Sequence, residues 1–184
     1  MAGNLILILG GARSGKSAYA ERLAVARGGD VLFIATATAG DDEMARRIAA
    51  HRASRPADWR TLEAPTAVAT RVATVGESPG TVVLDCLTLL VSNLLLEHES
   101  AGEAAVARAV EAEIDALLAH IATSAATWLI VSNEVGMGLV PPYPLGRAYR
   151  DLLGRVNARV AARATRAYLL VAGLPLDLKR LMAE

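Results

Sequence analysis

Leu5-Ile6-Leu7-Ile8-Leu9 runs without a polar interruption into Gly10-Gly11-Ala12-Arg13-Ser14-Gly15-Lys16-Ser17, which fits Gly-x-x-x-x-Gly-Lys-Ser. A short isoleucine- and leucine-rich run that does not alternate with polar residues suits a strand buried on both faces of a parallel sheet. A helical pattern follows, from residue 18 to about 27. Strand, glycine-bearing loop and helix in that order distinguish a Walker A phosphate-binding loop from a chance turn. Gly10 and Gly15 are read as supplying backbone angles denied to residues with side chains. The loop N–H groups then face phosphate oxygens at the positive end of the next helix. Lys16 would reach the outer phosphates, and the Ser17 hydroxyl would hold Mg²⁺.

The remaining pattern alternates strands with helices. Residues 31–36 read as the second strand, ending in Thr36 and Thr38 ahead of Gly40-Asp41-Asp42. Asp41 or Asp42 caps a helix that runs to about 54 and is stopped by Arg55-Pro56. Residues 59–65 form a short strand and its exit, and 67–75 a helix. Residues 81–85 form a buried strand ending in Asp85, the position where the second metal-linked acid of a phosphate-loop protein belongs. A helix over 86–96 follows, then a polar stretch, 97–102, read as the most mobile loop. Residues 103–122 form a long alanine-rich helix, 127–132 a buried strand, and 141–145 a rigid loop. A helix over 146–166 and a last strand over 168–172 lead through Gly173-Leu174-Pro175-Leu176 to a basic turn with Lys179 and Arg180. This order predicts a three-layer α/β fold of the P-loop NTPase-like kind with a mostly parallel central sheet.

Length and charge narrow the classes. The 184 residues suit one domain, 1–184, with a sizeable core. Lys+Arg and Asp+Glu both number 19, which gives no support for a nucleic-acid surface. Cys86 is the single cysteine, so no internal disulfide forms, and a cytoplasmic location is expected. The first apolar stretch lacks a basic flank and is too short for a signal core, and no run approaches the ~20 residues of a membrane span.

Two further clusters carry chemistry. Arg47, His51 and Arg55 are spaced i, i+4, i+8, along one helical face. Such a face is either a solvated basic surface or a phosphate cradle beside a nucleophile. A neutral imidazole can attack an α-phosphorus and form a phosphoramidate, and neighbouring arginines favour the neutral form. The other cluster is Val131-Ser132-Asn133-Glu134-Val135-Gly136-Met137-Gly138-Leu139-Val140-Pro141, followed by Leu145-Gly146-Arg147 and Tyr149-Arg150-Asp151. A glycine-bearing loop after a strand, with charges opening the next helix, can close over a substrate. Asn157, further along, reads as a solvent-facing polar residue. Asp85 is either a metal-linked acid or a cap on the helix after its strand.

Taken together, GGARSGKS, FIATA, DDEMARRIAAHRASRP, DCLTLLVSNLL and VSNEVGMGLVP…LGRAYRDLLGRVN resemble the bifunctional adenosylcobinamide kinase / adenosylcobinamide-phosphate guanylyltransferase family of cobalamin biosynthesis. The matching stretches span nearly the whole chain in family order. Departures are small: Leu90-Val91 stand where a tryptophan is frequent, Ala158 where a glutamine is common, and Pro142-Tyr143-Pro144 is richer in proline. The resemblance implies that ATP or GTP phosphorylates adenosylcobinamide. GTP then guanylylates a histidine, and GMP passes to adenosylcobinamide phosphate, giving adenosylcobinamide-GDP and pyrophosphate. The histidine maps onto His51, with Lys16 as the other catalytic residue. The implied nucleotide contacts are Gly10, Gly11, Ala12, Arg13, Ser14, Gly15, Lys16, Ser17, Ala35, Thr36, Ala37, Arg52, Ala53, Ser54, Arg55, Glu63 and Asp85. Ser17 and Asp85 are the expected Mg²⁺ positions, and a homotrimer is the expected assembly. Two other readings remain open on the residues alone: a kinase of another small alcohol with a structural His51, and a nucleotide-dependent assembly module without catalysis.

Overall fold

The computed structural model describes residues 4–38, 42–53 and 55–181. In chain order the elements are β1 (Asn4–Gly10), α1 (Lys16–Arg27), β2 (Val31–Ala35), α2 (Asp42–Ala53), β3 (Arg60–Glu63), α3 (Val68–Ala73) and β4 (Thr81–Asp85). Then come α4 (Leu87–His98), α5 (Glu103–Thr123), β5 (Thr127–Asn133), α6 (Pro144–Arg163), β6 (Arg166–Val171) and β7 (Leu174–Asp177). The strands form one sheet in the order β3-β2-β4-β5-β1-β6-β7, parallel except for the antiparallel β6–β7 pair. The expected α/β architecture is therefore present, with helices packed against both sheet faces.

The uninterrupted apolar strands explain the layers. Successive side chains leave a strand on opposite faces. Leu5, Leu7, Leu9, Leu32, Ile34, Leu84, Trp128 and Ile130 fill one face with α3, α4, α5 and α6. Ile6, Ile8, Phe33, Val83, Leu129 and Val131 fill the other, where α1 presents the small side chains Ala20 and Ala24. Both faces are covered, so the central strands are mostly apolar, and the buried Ser132 of β5 has a hydrogen-bond partner in Asn157. Among the described residues, no helix is long and apolar enough to cross a membrane.

Three expectations about elements need correction. Residues 97–101 are not a loop: α4 continues to His98 and passes into a 3-10 turn, Glu99–Ala101, ended by Gly102 at φ +87°. Polar composition there marks an exposed helix end. The helix expected from 146 to 166 begins at Pro144, whose fixed φ and missing N–H suit a first turn, and stops at Arg163. Residues 174–177, expected as irregular chain, form β7. Ala172 and Gly173, at φ +52° and +81°, make a two-residue hairpin turn of the kind that matches strand twist. Pro175 is tolerated because β7 is an edge strand.

Candidate nucleotide site

The carboxyl ends of parallel strands are where ligands gather in open α/β sheets, and the Gly10–Ser17 loop lies there. Gly15 has φ +89°, the left-handed backbone expected of it. Gly10 serves a different purpose from the one expected. A Cβ placed on it would lie 2.4 Å from Ser14 Oγ and 2.9 Å from the Leu170 carbonyl oxygen, so close approach demands the glycine. Two backbone bonds brace the loop: Ser14 N–H donates to Gly11 O at 3.3 Å, and Gly173 N–H donates to Ser14 O at 3.0 Å. The β6–β7 turn thus supports the loop from behind.

Lys16 opens α1 and folds its ammonium onto the Gly11 carbonyl at 3.0 Å. Burial lowers the Lys16 pKa from its ordinary value, opposed by Cys86 and by the negative charge of Asp85. Lys16 and Asp85 therefore share one electrostatic neighbourhood although they stand on different elements. Ser17, the next residue of α1, is half-buried. A hydroxyl and a carboxylate are hard oxygen donors that suit Mg²⁺, which takes its other ligands from phosphates and water. Among the described residues there is no cluster of three or more His, Cys, Asp or Glu side chains that could hold a metal alone.

Strand register brings together residues distant in sequence. Ala35 pairs with Asp85 on one side and with Glu63 on the other, so the three form one row at the carboxyl edge. Thr36, just beyond, is fully buried. Its hydroxyl donates to Cys86 O at 2.8 Å and accepts from Cys86 N–H at 2.7 Å. Its side chain thus ties the β2 exit to the segment after Asp85. Cys86 is buried, and desolvation together with Asp85 pushes its thiol up to about 11.

His51 and Arg52 stand in the last turn of α2, and Ala53 ends it. Ser54 and the side chains of Arg47 and His51 lie outside what the structure describes. The helix stops before Arg55, so the expected face of Arg47, His51 and Arg55 is interrupted there. Arg55 instead turns back over the sheet, with its guanidinium carbon 3.4 Å from the centroid of the Phe33 ring, and Trp59 stacks beside Phe33. Desolvation lowers the Arg55 pKa, opposed by the charges of Glu21 and Asp85. The exit of α2 is therefore held against the sheet by Arg55, near the charges of Glu21 and Asp85.

The loop after β5 is held by residues the sequence singled out, in roles it did not show, and by Thr88, which it did not single out. Glu134 N–H donates to Gly10 O at 3.0 Å, extending the β5–β1 ladder. The Glu134 carboxylate accepts N–H bonds from Gly136 at 2.5 Å and Met137 at 3.2 Å. Asn133 N–H donates to Thr88 Oγ1 at 2.8 Å. Asn157 is buried, contrary to its expected solvent-facing place. It accepts from the Ser132 hydroxyl at 2.7 Å and donates to Asn133 O at 2.9 Å. Its position one helical turn from Leu153 and Val160, both buried, was the available signal. Arg147 donates to the Pro141 and Pro142 carbonyls at 3.1 and 2.9 Å, so this cation is spent on shaping the loop.

Comparison with known proteins supplies independent findings. Residues 6–178 match the family model described as cobinamide kinase / cobinamide phosphate guanyltransferase. The chain is 47% identical over 173 residues to the bifunctional adenosylcobalamin biosynthesis protein CobP of Pseudomonas aeruginosa, covering 94% of this chain and 96% of that one. It is 42% identical over 181 residues to the bifunctional adenosylcobalamin biosynthesis protein CobU of Salmonella typhimurium, and 40% identical to that of Escherichia coli. Both alignments cover 95% of this chain and 99% of the relative.

Proposed function

The chain belongs to the cobinamide kinase / cobinamide phosphate guanyltransferase family, and on that premise we propose how its residues divide the two reactions. In the kinase step the aminopropanol hydroxyl of adenosylcobinamide attacks the γ-phosphorus of ATP or GTP. The bond from the γ-phosphorus to the bridging oxygen breaks, the nucleoside diphosphate leaves, and the hydroxyl proton is released. Lys16 exchanges the Gly11 carbonyl for the outer phosphates, and the loop N–H groups hold the triphosphate in line. Ser17 and Asp85 would hold Mg²⁺, which when bound would screen phosphate charge.

In the transfer step neutral His51 attacks the α-phosphorus of GTP. Its N–P bond forms as the α–β bridging P–O bond breaks, and pyrophosphate leaves. A phosphate oxygen of adenosylcobinamide phosphate then attacks the same phosphorus. The N–P bond breaks, imidazole is restored, and adenosylcobinamide-GDP is released. The observation that carries this reading is Arg55, which holds the exit of the His51 helix over Phe33, in the field of Asp85. Ala35, Thr36, Ala37, Arg52, Ala53, Ser54 and Glu63 complete the nucleotide contacts. The assembly is a homotrimer, which would cover part of the exposed apolar surface at Met137, Leu139, Val140 and Tyr143.

GTP labelled at the α-phosphate tests the reading. Stable label on the wild-type protein, lost in His51→Ala while adenosylcobinamide is still phosphorylated, is the expected result. Absence of any label would overturn the transfer half. Lys16→Ala should lose kinase turnover, and unchanged phosphorylation would refute the role given to the loop.

A further inference from the structure

Asn93 lies on α4, half-buried and outside every nucleotide contact proposed above. Its side-chain amide donates one N–H to Thr36 O at 2.9 Å and another to Pro65 O at 3.0 Å. Those two carbonyls have particular places in the chain. Thr36 is the first residue after β2, where the backbone leaves the sheet toward α2. Pro65 follows β3, the strand through which the chain returns to the sheet. One amide group therefore spans the departure and the return of the excursion that carries His51.

The surrounding bonds reinforce this geometry. Ala64 N–H donates to Ala35 O at 2.9 Å, and Thr36 N–H donates to Asp85 O at 3.2 Å. Those backbone bonds belong to the sheet margin and survive any change of side chain. The Asn93 amide is the link between that margin and α4, whose buried Leu87, Leu90, Val91, Leu94 and Leu95 fix it in the core. An asparagine carries two N–H donors, and both are used on carbonyls. Replacement leaves both carbonyls without that partner and releases the base of the excursion from α4.

We infer that Asn93 is a positioning residue for guanylyl transfer: it clamps both ends of the α2 excursion and so sets where His51 meets the α-phosphorus. The inference rests on the reading that His51 accepts GMP. Nucleophilic attack tolerates little misplacement, and a shift near 1 Å costs on the order of 100-fold. The groups given to the chemistry of the kinase step are the phosphate loop, Lys16, Ser17 and Asp85, and the Asn93 amide bonds to none of them. Loss of the clamp therefore separates the two activities.

Four proteins are compared with wild type: Asn93→Asp, which keeps the shape but has no N–H donor; Asn93→Leu, which is apolar; Asn93→Gln, which keeps the amide; and His51→Ala. Circular dichroism melts identify folded variants. The readouts are the single-turnover rate of protein labelling from α-labelled GTP at saturation and kcat for phosphorylation of adenosylcobinamide. Asn93→Asp and Asn93→Leu should label about 10- to 100-fold more slowly, with kinase kcat within about threefold of wild type. Asn93→Gln should recover part of the labelling. Parallel loss of both activities, full labelling in Asn93→Leu, or an Asn93→Gln no better than Asn93→Asp overturns the clamp. Wild type that takes no label, or His51→Ala that labels normally, overturns the histidine reading itself and the clamp with it, a result distinct from the others.

Discussion

Replacing Asn157 by leucine should destabilise the protein while leaving its packed volume nearly unchanged. Asn157 is 6% exposed and Ser132 fully buried, and the bond between them is 2.7 Å long. Asn157 also donates to the Asn133 carbonyl at 2.9 Å. Leucine removes both bonds and strands a buried hydroxyl and a partly buried carbonyl. Each stranded group costs about 1–3 kcal/mol, so a total near 2–6 kcal/mol is expected. For a chain of this length 1 kcal/mol shifts Tm by about 2–4 °C, which places the loss at about 4–24 °C. Urea unfolding followed by the fluorescence of buried Trp128 measures it. Adding Ser132→Ala removes the stranded hydroxyl. The double variant should therefore lose about 1 kcal/mol less than the sum of the single losses. A loss under about 0.5 kcal/mol in Asn157→Leu, the range of ordinary surface changes, or strict additivity in the double variant, would refute the buried-network argument.

Gly10→Ala should weaken nucleotide binding at least about tenfold in equilibrium titration, because the new Cβ displaces Ser14 Oγ and the Leu170 carbonyl; unchanged affinity would remove the close-approach explanation. Cys86, with its thiol pushed up to about 11, should resist iodoacetamide at pH 8 in the native state and react at once when unfolded. The same shift has a definite sign for stability. The folded pKa exceeds the ordinary 9.0, so the contribution is present below pH 9 and is lost as pH rises toward 11. Cys86→Ala should flatten that alkaline decline in melting experiments, and an identical decline would assign it to other groups.

The resemblance to one enzyme family was legible from five stretches of sequence, and both the family match over residues 6–178 and the curated relatives support it. Individual side chains were harder to read. Asn157 and Asn93 look alike in sequence, each a polar residue within a helix. Their roles come from carbonyls far away in the chain, which no local pattern records. Thr36 was expected among the nucleotide contacts. Its hydroxyl is engaged with Cys86, its N–H with the Asp85 carbonyl and its own carbonyl with the Asn93 amide. Arg55 was placed on the face of α2, but the helix ends at Ala53 and Arg55 reaches Phe33 instead.

The phosphate loop divides along the same line. A strand buried on both faces, a glycine with φ +89° and a helix opening at Lys16 all follow from neighbouring residues, because their causes are local sterics and local hydrogen bonds. The sequence by itself therefore determined the layered α/β fold and the strand, glycine-bearing loop and helix that form the proposed phosphate cradle. Only the tertiary structure decided what surrounds that cradle. Strand order set Glu63, Ala35 and Asp85 in one row, and the β6–β7 turn came to rest on Ser14. These placements depend on which strands pair and which helices share a face. That is settled by packing the whole chain at once, since each contact joins residues whose separation in sequence carries no local signal.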